Sequence, residues 1–107
     1  MKIRVLGYYG GYPAHGVGTS SYLLTAGNYH LLIDCGSDAL LTLEKYLDQL
    51  KLNAVILSHY HYDHTADVGV LQYYWQLHPK NRLEPVLPIY GNTEDPLNFE
   101  ALNWMHS

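Results

Sequence analysis

The sequence predicts a small α+β domain built on a mixed sheet with helices on one outer face. Three observations carry this. Two β-prone runs, Ser21 to Ala26 and Tyr29 to Asp34, flank Gly27-Asn28, a dipeptide that accepts the positive φ angles of a tight hairpin. Leu40, Leu43, Leu47 and Leu50 recur at spacings of 3, 4 and 3 residues, the period of one helical face. The short apolar run Ala54 to Leu57 then follows that helix, as a strand covered on both faces would.

Taken in order, Ile3 and Val5 among charged neighbours predict a short opening strand, and Gly7 to Gly18 a Gly-rich loop. The hairpin follows as an antiparallel pair. The leucine-spaced helix starts near Ser37 or Asp38, either of which suits an N-cap. After the apolar strand, Val68, Leu71, Tyr74, Trp75 and Leu77 return to helical spacing until Pro79 interrupts it. Val86 to Tyr90 predicts a further strand, for which Pro88 argues an edge position or an irregular one. Pro96, Leu97, Ala101, Leu102 and Met105 predict a last helix.

With 107 residues the chain has the length of one small domain, and 48% apolar against 15% charged residues gives it the means to pack a core. The net charge of −4 and the absence of a basic tract give nucleic-acid binding no support. Cys35 is the one cysteine, so an internal disulfide is excluded and a reducing compartment fits. No apolar run approaches the roughly 20 residues of a membrane span. The expectation is a cytoplasmic protein without membrane attachment.

The chemistry is concentrated in His59-Tyr60-His61-Tyr62-Asp63-His64, directly after the apolar strand. Imidazole and carboxylate are the ligands of choice for zinc, and a short loop at a strand's end lets them converge. His59 and His61, two residues apart, project to one side. Asp63 and His64, entering the next helix, point to a different spot, so the loop offers two ligand pairs. Two metals about 3.5–4 Å apart would suit ester or phosphoester displacement by water. Lys and Arg are missing between Lys51 and Lys80, so no nearby cation opposes a metal.

This motif after an apolar strand, with Asp34 closing an earlier strand in Leu32-Ile33-Asp34-Cys35-Gly36, resembles the metallo-β-lactamase superfamily. Gly18-Thr19-Ser20-Ser21-Tyr22-Leu23-Leu24 and Leu87-Pro88-Ile89-Tyr90-Gly91 further resemble its ribonuclease Z-like hydrolases. The resemblance implies that His59 and His61 bind one metal, and Asp63 and His64 the second. It further implies that Asp34 steadies the histidine loop and Asp63 doubles as proton acceptor. The implied cofactor is zinc, two ions per complete site, with manganese or iron as substitutes. The implied substrate is a small ester or phosphoester, and a transfer-RNA 3′-end endonuclease is the alternative.

Domains of that family are longer, with a four-layer αββα sandwich completed by a later histidine, a bridging aspartate and a final histidine. His78 lies too close to the motif and His106 too near the end to fill those roles. Residues 1–107 are therefore expected to form the N-terminal half of such a domain. Such a half would expose an apolar sheet face and self-associate or pair with a missing C-terminal half. A noncatalytic metal-binding or assembly module is the reading from a different class.

The remaining residues have plainer readings. Cys35 after a strand suits a small buried hydrophobe. The Gly7 to Gly18 loop lacks the Gly-Lys-Ser/Thr ending of a phosphate loop. His15 within it is a candidate for an active-site rim, and Tyr60 and Tyr62 for a substrate cleft. His30, His78 and His106 read as surface residues.

Overall fold

A computed structural model describes residues 1–58 and 60–91. His59 and the last predicted helix lie outside the described residues.

Among the described residues the architecture is one mixed sheet with its helices packed on one face, the α+β class expected. Its six strands there are β1 (Lys2–Tyr9), β2 (Gly18–Thr19), β3 (Ser21–Ala26), β4 (Tyr29–Ile33), β5 (Ala54–Ile56) and β6 (Ile89–Tyr90), in spatial order β2-β1-β3-β4-β5-β6. Strands β3 and β4 form the antiparallel hairpin, with Ala26 opposite Tyr29 and Gly27 at φ +61° in the turn. β5 joins β4 in parallel, and β6 joins β5 in parallel.

Strand register explains the core. Leu23 stands opposite Leu32, Leu32 opposite Val55, and Val55 opposite Ile89, so one row of apolar side chains crosses four strands. Helices α1 (Ala39–Leu43) and α3 (Val68–Leu77) supply the residues that join it in one buried cluster, chiefly Leu40, Leu43, Val68, Leu71 and Trp75. The alternate residues form the opposite face. There Val5 stands opposite Tyr22, Tyr22 opposite Ile33, Ile33 opposite Ile56, and Ile56 opposite Tyr90. Among the described residues this second face carries no covering layer: Ile3 is 66% exposed, Val5 54% and Ile56 39%.

Five expectations need correction. The Gly-rich loop is shorter than predicted, because β1 continues through Gly7 to Tyr9 and Gly18–Thr19 pairs with it in parallel. Gly7 tolerates this because a side chain there would meet the Thr19 carbonyl. The leucine helix stops at Leu43, and the chain reaches Leu50 through turns and a 3₁₀ segment, Gln49–Lys51. The leucine spacing survives as burial because these turns keep Leu47 and Leu50 on the core.

Asp38, at φ +66°, makes no side-chain cap. The carboxylate of Asp67, from the start of α3, accepts the Leu40 N–H at 3.1 Å instead. The strand over Val86 to Tyr90 shrinks to Ile89–Tyr90, although the Pro88 carbonyl still accepts from Val55 N–H at 2.9 Å. Finally, β5 is covered on one face, as the exposure of Ile56 shows.

Candidate metal centre

The site forms where the parallel strands β4 and β5 both end. The Asp34 N–H donates to the Ile56 carbonyl at 2.8 Å, the last ladder bond before the two chains part. Asp34 then adopts φ +60°, a conformation that Asp and Asn tolerate better than most residues. The carboxylate is buried, 3% exposed, and its partners are numerous. Oδ1 accepts the Ser58 N–H at 2.7 Å, Oδ2 accepts from Ser20 Oγ at 3.2 Å, and Ser58 Oγ lies 3.0 Å and 2.8 Å from the two oxygens. Oδ2 also stands 2.8 Å from His64 Nδ1. A buried carboxylate is retained when it is hydrogen-bonded this fully.

His64 belongs to the one-turn helix α2 (Tyr62–Thr65), which opens when the His61 carbonyl accepts from His64 N–H at 2.9 Å. The loop after β4 is sewn to this helix. Cys35 N–H donates to the His64 carbonyl at 2.8 Å, and Asp67 N–H to the Cys35 carbonyl at 3.0 Å. Gly36 completes the seam, since a Cβ there would collide with Thr19 Oγ1 and the Asp63 carbonyl. Thr19 Oγ1 itself accepts the Ser37 N–H at 2.6 Å.

A carboxylate oxygen accepts, so in the Asp34–His64 contact Nδ1–H donates to Oδ2, which turns the Nε2 side of the ring toward Asp63. Nε2 lies 3.4 Å from Asp63 Oδ2. An imidazole nitrogen and a carboxylate oxygen thus meet at one point, a donor pair that fits zinc. Among the described residues no group of three or more His, Cys, Asp or Glu side chains is gathered closely enough to hold a metal. His61 occupies the N-cap position of α2 and is exposed at the surface.

Of the other residues singled out, Tyr60 packs against the core, whereas Tyr62 is 86% exposed. His15 pairs with Tyr9 at a ring-centroid distance of 5.7 Å. Cys35 is fully buried, and that burial pushes its thiol well up, with Asp67 and Asp34 acting the same way. It is a neutral thiol packed in the core as a small hydrophobe, and no thiolate ligand. Sequence reasoning passed over Ser20, Ser58, Gly36 and Asp67. A small hydroxyl residue directly after β2 and another two residues after β5 were the available signal for the two serines.

Known proteins resemble the chain in sequence and in fold. The chain is 48% identical over 105 residues to the probable metallo-hydrolase YhfI of Bacillus subtilis, covering 97% of this chain and 43% of that protein. The crystal structure of the metallo-beta-lactamase fold protein YhfI superposes with a TM-score of 0.85 at 47% identity, over 92% of this chain and 39% of that one. Human tRNase Z, short form, shares the fold at a TM-score of 0.76 and 23% identity, over 100% of this chain and 40% of that one. The chain thus spans about two-fifths of the length of these relatives. The sequence profile of the Metallo-beta-lactamase superfamily matches residues 15–97, and the chain belongs to that superfamily.

Proposed function

We propose that this chain forms the histidine-bearing N-terminal part of a metal-dependent hydrolase that works through two zinc ions on a phosphoester or carboxylic ester. The observation that carries the reading is the orientation of His64: Asp34 takes Nδ1 at 2.8 Å, and Nε2 is left beside the Asp63 carboxylate. His59 and His61 would hold one ion, Asp63 and His64 the other. When bound, zinc would polarise the ester and lower the pKa of water toward neutrality.

The protein's own residues do the rest. Asp34 fixes the tautomer and rotation of His64, and Ser20 and Ser58 hold Asp34 in turn. Asp63, part-exposed beside His64, would accept the proton released as water attacks. The buried free thiol of Cys35 suits the reducing cytoplasm.

The test combines equilibrium dialysis against zinc with hydrolysis of bis-p-nitrophenyl phosphate, both carried out on the complete domain of which this chain forms the N-terminal part. Two zinc ions per complete domain and turnover that His64→Ala abolishes support the reading. Zinc binding without turnover overturns it in favour of a noncatalytic metal-binding module.

A further inference from the structure

A groove of about 730 Å³ opens at the other end of the sheet, beside the β3–β4 turn. His30 lies on its wall, and Asp34 follows four residues later, directly past the end of the same strand, roughly 13 Å away at about 3.3 Å per residue. Strand register lines up the polar groups. Lys2 stands opposite Thr25 and Thr25 opposite His30, while Arg4 follows Lys2 on the same face of β1, opposite Leu23. Thr25 Oγ1 lies 3.2 Å from His30 Nδ1, which fixes that ring. The Arg4 guanidinium carbon lies 4.0 Å from the centroid of the Tyr46 ring, a cation–π contact that holds this cation at the groove.

The charge balance of this groove is opposite to that of the chain. The whole sequence carries −4, yet no Asp or Glu lines the groove, and among the described residues no carboxylate pairs with Lys2 or Arg4. The acids nearest Tyr46 in sequence are engaged elsewhere: Glu44 accepts from Gln49 Nε2 at 2.6 Å, and Asp48 from Leu50 N–H at 3.0 Å. Two cations without a carboxylate partner among the described residues, one of them a planar fork held against an aromatic ring, suit an anion with several oxygens. Leu23 and Leu47 between them offer apolar surface for the remainder of a ligand.

We propose that this groove is a second ligand site, separate from the histidine loop, that takes a phosphomonoester. Arg4 and Lys2 grip the phosphate, Thr25 adds a hydroxyl donor, and the organic part rests on Leu23 and Leu47. The probe is phenylphosphonate, whose C–P bond resists hydrolysis, titrated into the isotope-labelled protein and followed by amide and His30 ring shifts.

Saturable shifts at Lys2 to Val5, Thr25, His30 and Tyr46 are expected. Lys2→Gln and Arg4→Gln should each weaken binding about tenfold, and His61→Ala should leave it unchanged. Lys2 is exposed, so its variant tests binding without disturbing the fold. Shifts confined to residues 58–66, or undiminished affinity in Lys2→Gln, would overturn the proposal. Inorganic phosphate should bind the same residues more weakly; equal affinity would overturn the part assigned to Leu23 and Leu47.

Discussion

Asp34 Oδ2 and His64 Nδ1, thirty positions apart in sequence, lie 2.8 Å apart where β4 and β5 end. The contact depends on the parallel pairing of Leu31 with Ala54 and Ile33 with Ile56, which brings both strand ends to the same edge. It links the fold directly to the tautomer of a candidate ligand.

Asp34→Asn tests that link without backbone strain, because Asn also tolerates φ +60°. Asn has one acceptor oxygen. With that oxygen kept by Ser58 N–H, its NH₂ group faces His64, which must move its proton to Nε2 and surrender the lone pair there. Zinc affinity should fall by about 10–100-fold, measured by competition with a chromogenic chelator. Unchanged affinity would reduce Asp34 to a structural role in the strand-end hydrogen bonds.

Gly36 and Gly69 should respond oppositely to the same change. Gly36→Ala drives a methyl into Thr19 Oγ1 and the Asp63 carbonyl, and the neighbouring backbone is tied by the Cys35–His64 and Gly36–Ser20 bonds. A loss of about 1–3 kcal/mol in urea unfolding is expected. Gly69, in the first turn of α3, has open space around it, so Gly69→Ala should raise stability by about 0.5 kcal/mol. Similar values for both would mean that the seam at Gly36 yields.

The hairpin, the helix over Val68 to Leu77 and the strand at Ala54 were legible because period-2 and period-3.6 patterns report burial, and burial determined those elements. The same logic misjudged the segment after Leu43. Its leucines are buried as the pattern implies, but turns deliver them instead of a helix, and spacing cannot distinguish the two. Asp34 was recognised through its place in a motif. Its partners Ser20 and Ser58 were not, since which hydroxyls reach a carboxylate depends on how parallel strands end in space. Asp67 capping α1 is likewise a tertiary contact across 27 residues.

Asp67 supplies a pH test. Burial pushes its carboxyl above the ordinary 3.8, against the lowering effect of the Leu40 N–H. A carboxyl whose folded pKa is raised binds its proton more tightly when folded. Its contribution to stability is therefore fully present below pH 3.8 and lost as pH rises through the folded value. Relative to Asp67→Asn, the wild type should gain stability as pH falls from 7 toward 4, read from urea midpoints at matched ionic strength. Asp67→Ala should cost about 1 kcal/mol at pH 7 by leaving the α1 N-terminus uncapped. A pH-independent gap between wild type and Asp67→Asn would contradict the raised value.

The uncovered sheet face sets the last expectation. Val5, Tyr22, Ile33, Ile56 and Tyr90 form one cross-strand row, and Ile3, Leu24 and Leu31 form the next. Monomeric proteins rarely leave contiguous apolar patches larger than a few hundred Å² in water, so residues 1–107 alone should associate through this face. Val5→Thr with Ile56→Thr removes apolar atoms from exposed positions and keeps the β-branched shape that strands favour. The core is untouched, because Leu23, Leu32 and Val55 point to the other side. Sedimentation equilibrium should show the wild type heavier than one chain and the double variant shifted toward the 12.2 kDa of a monomer. A wild type that sediments as a monomer at all concentrations, with cooperative unfolding, would show that the face tolerates water without a partner.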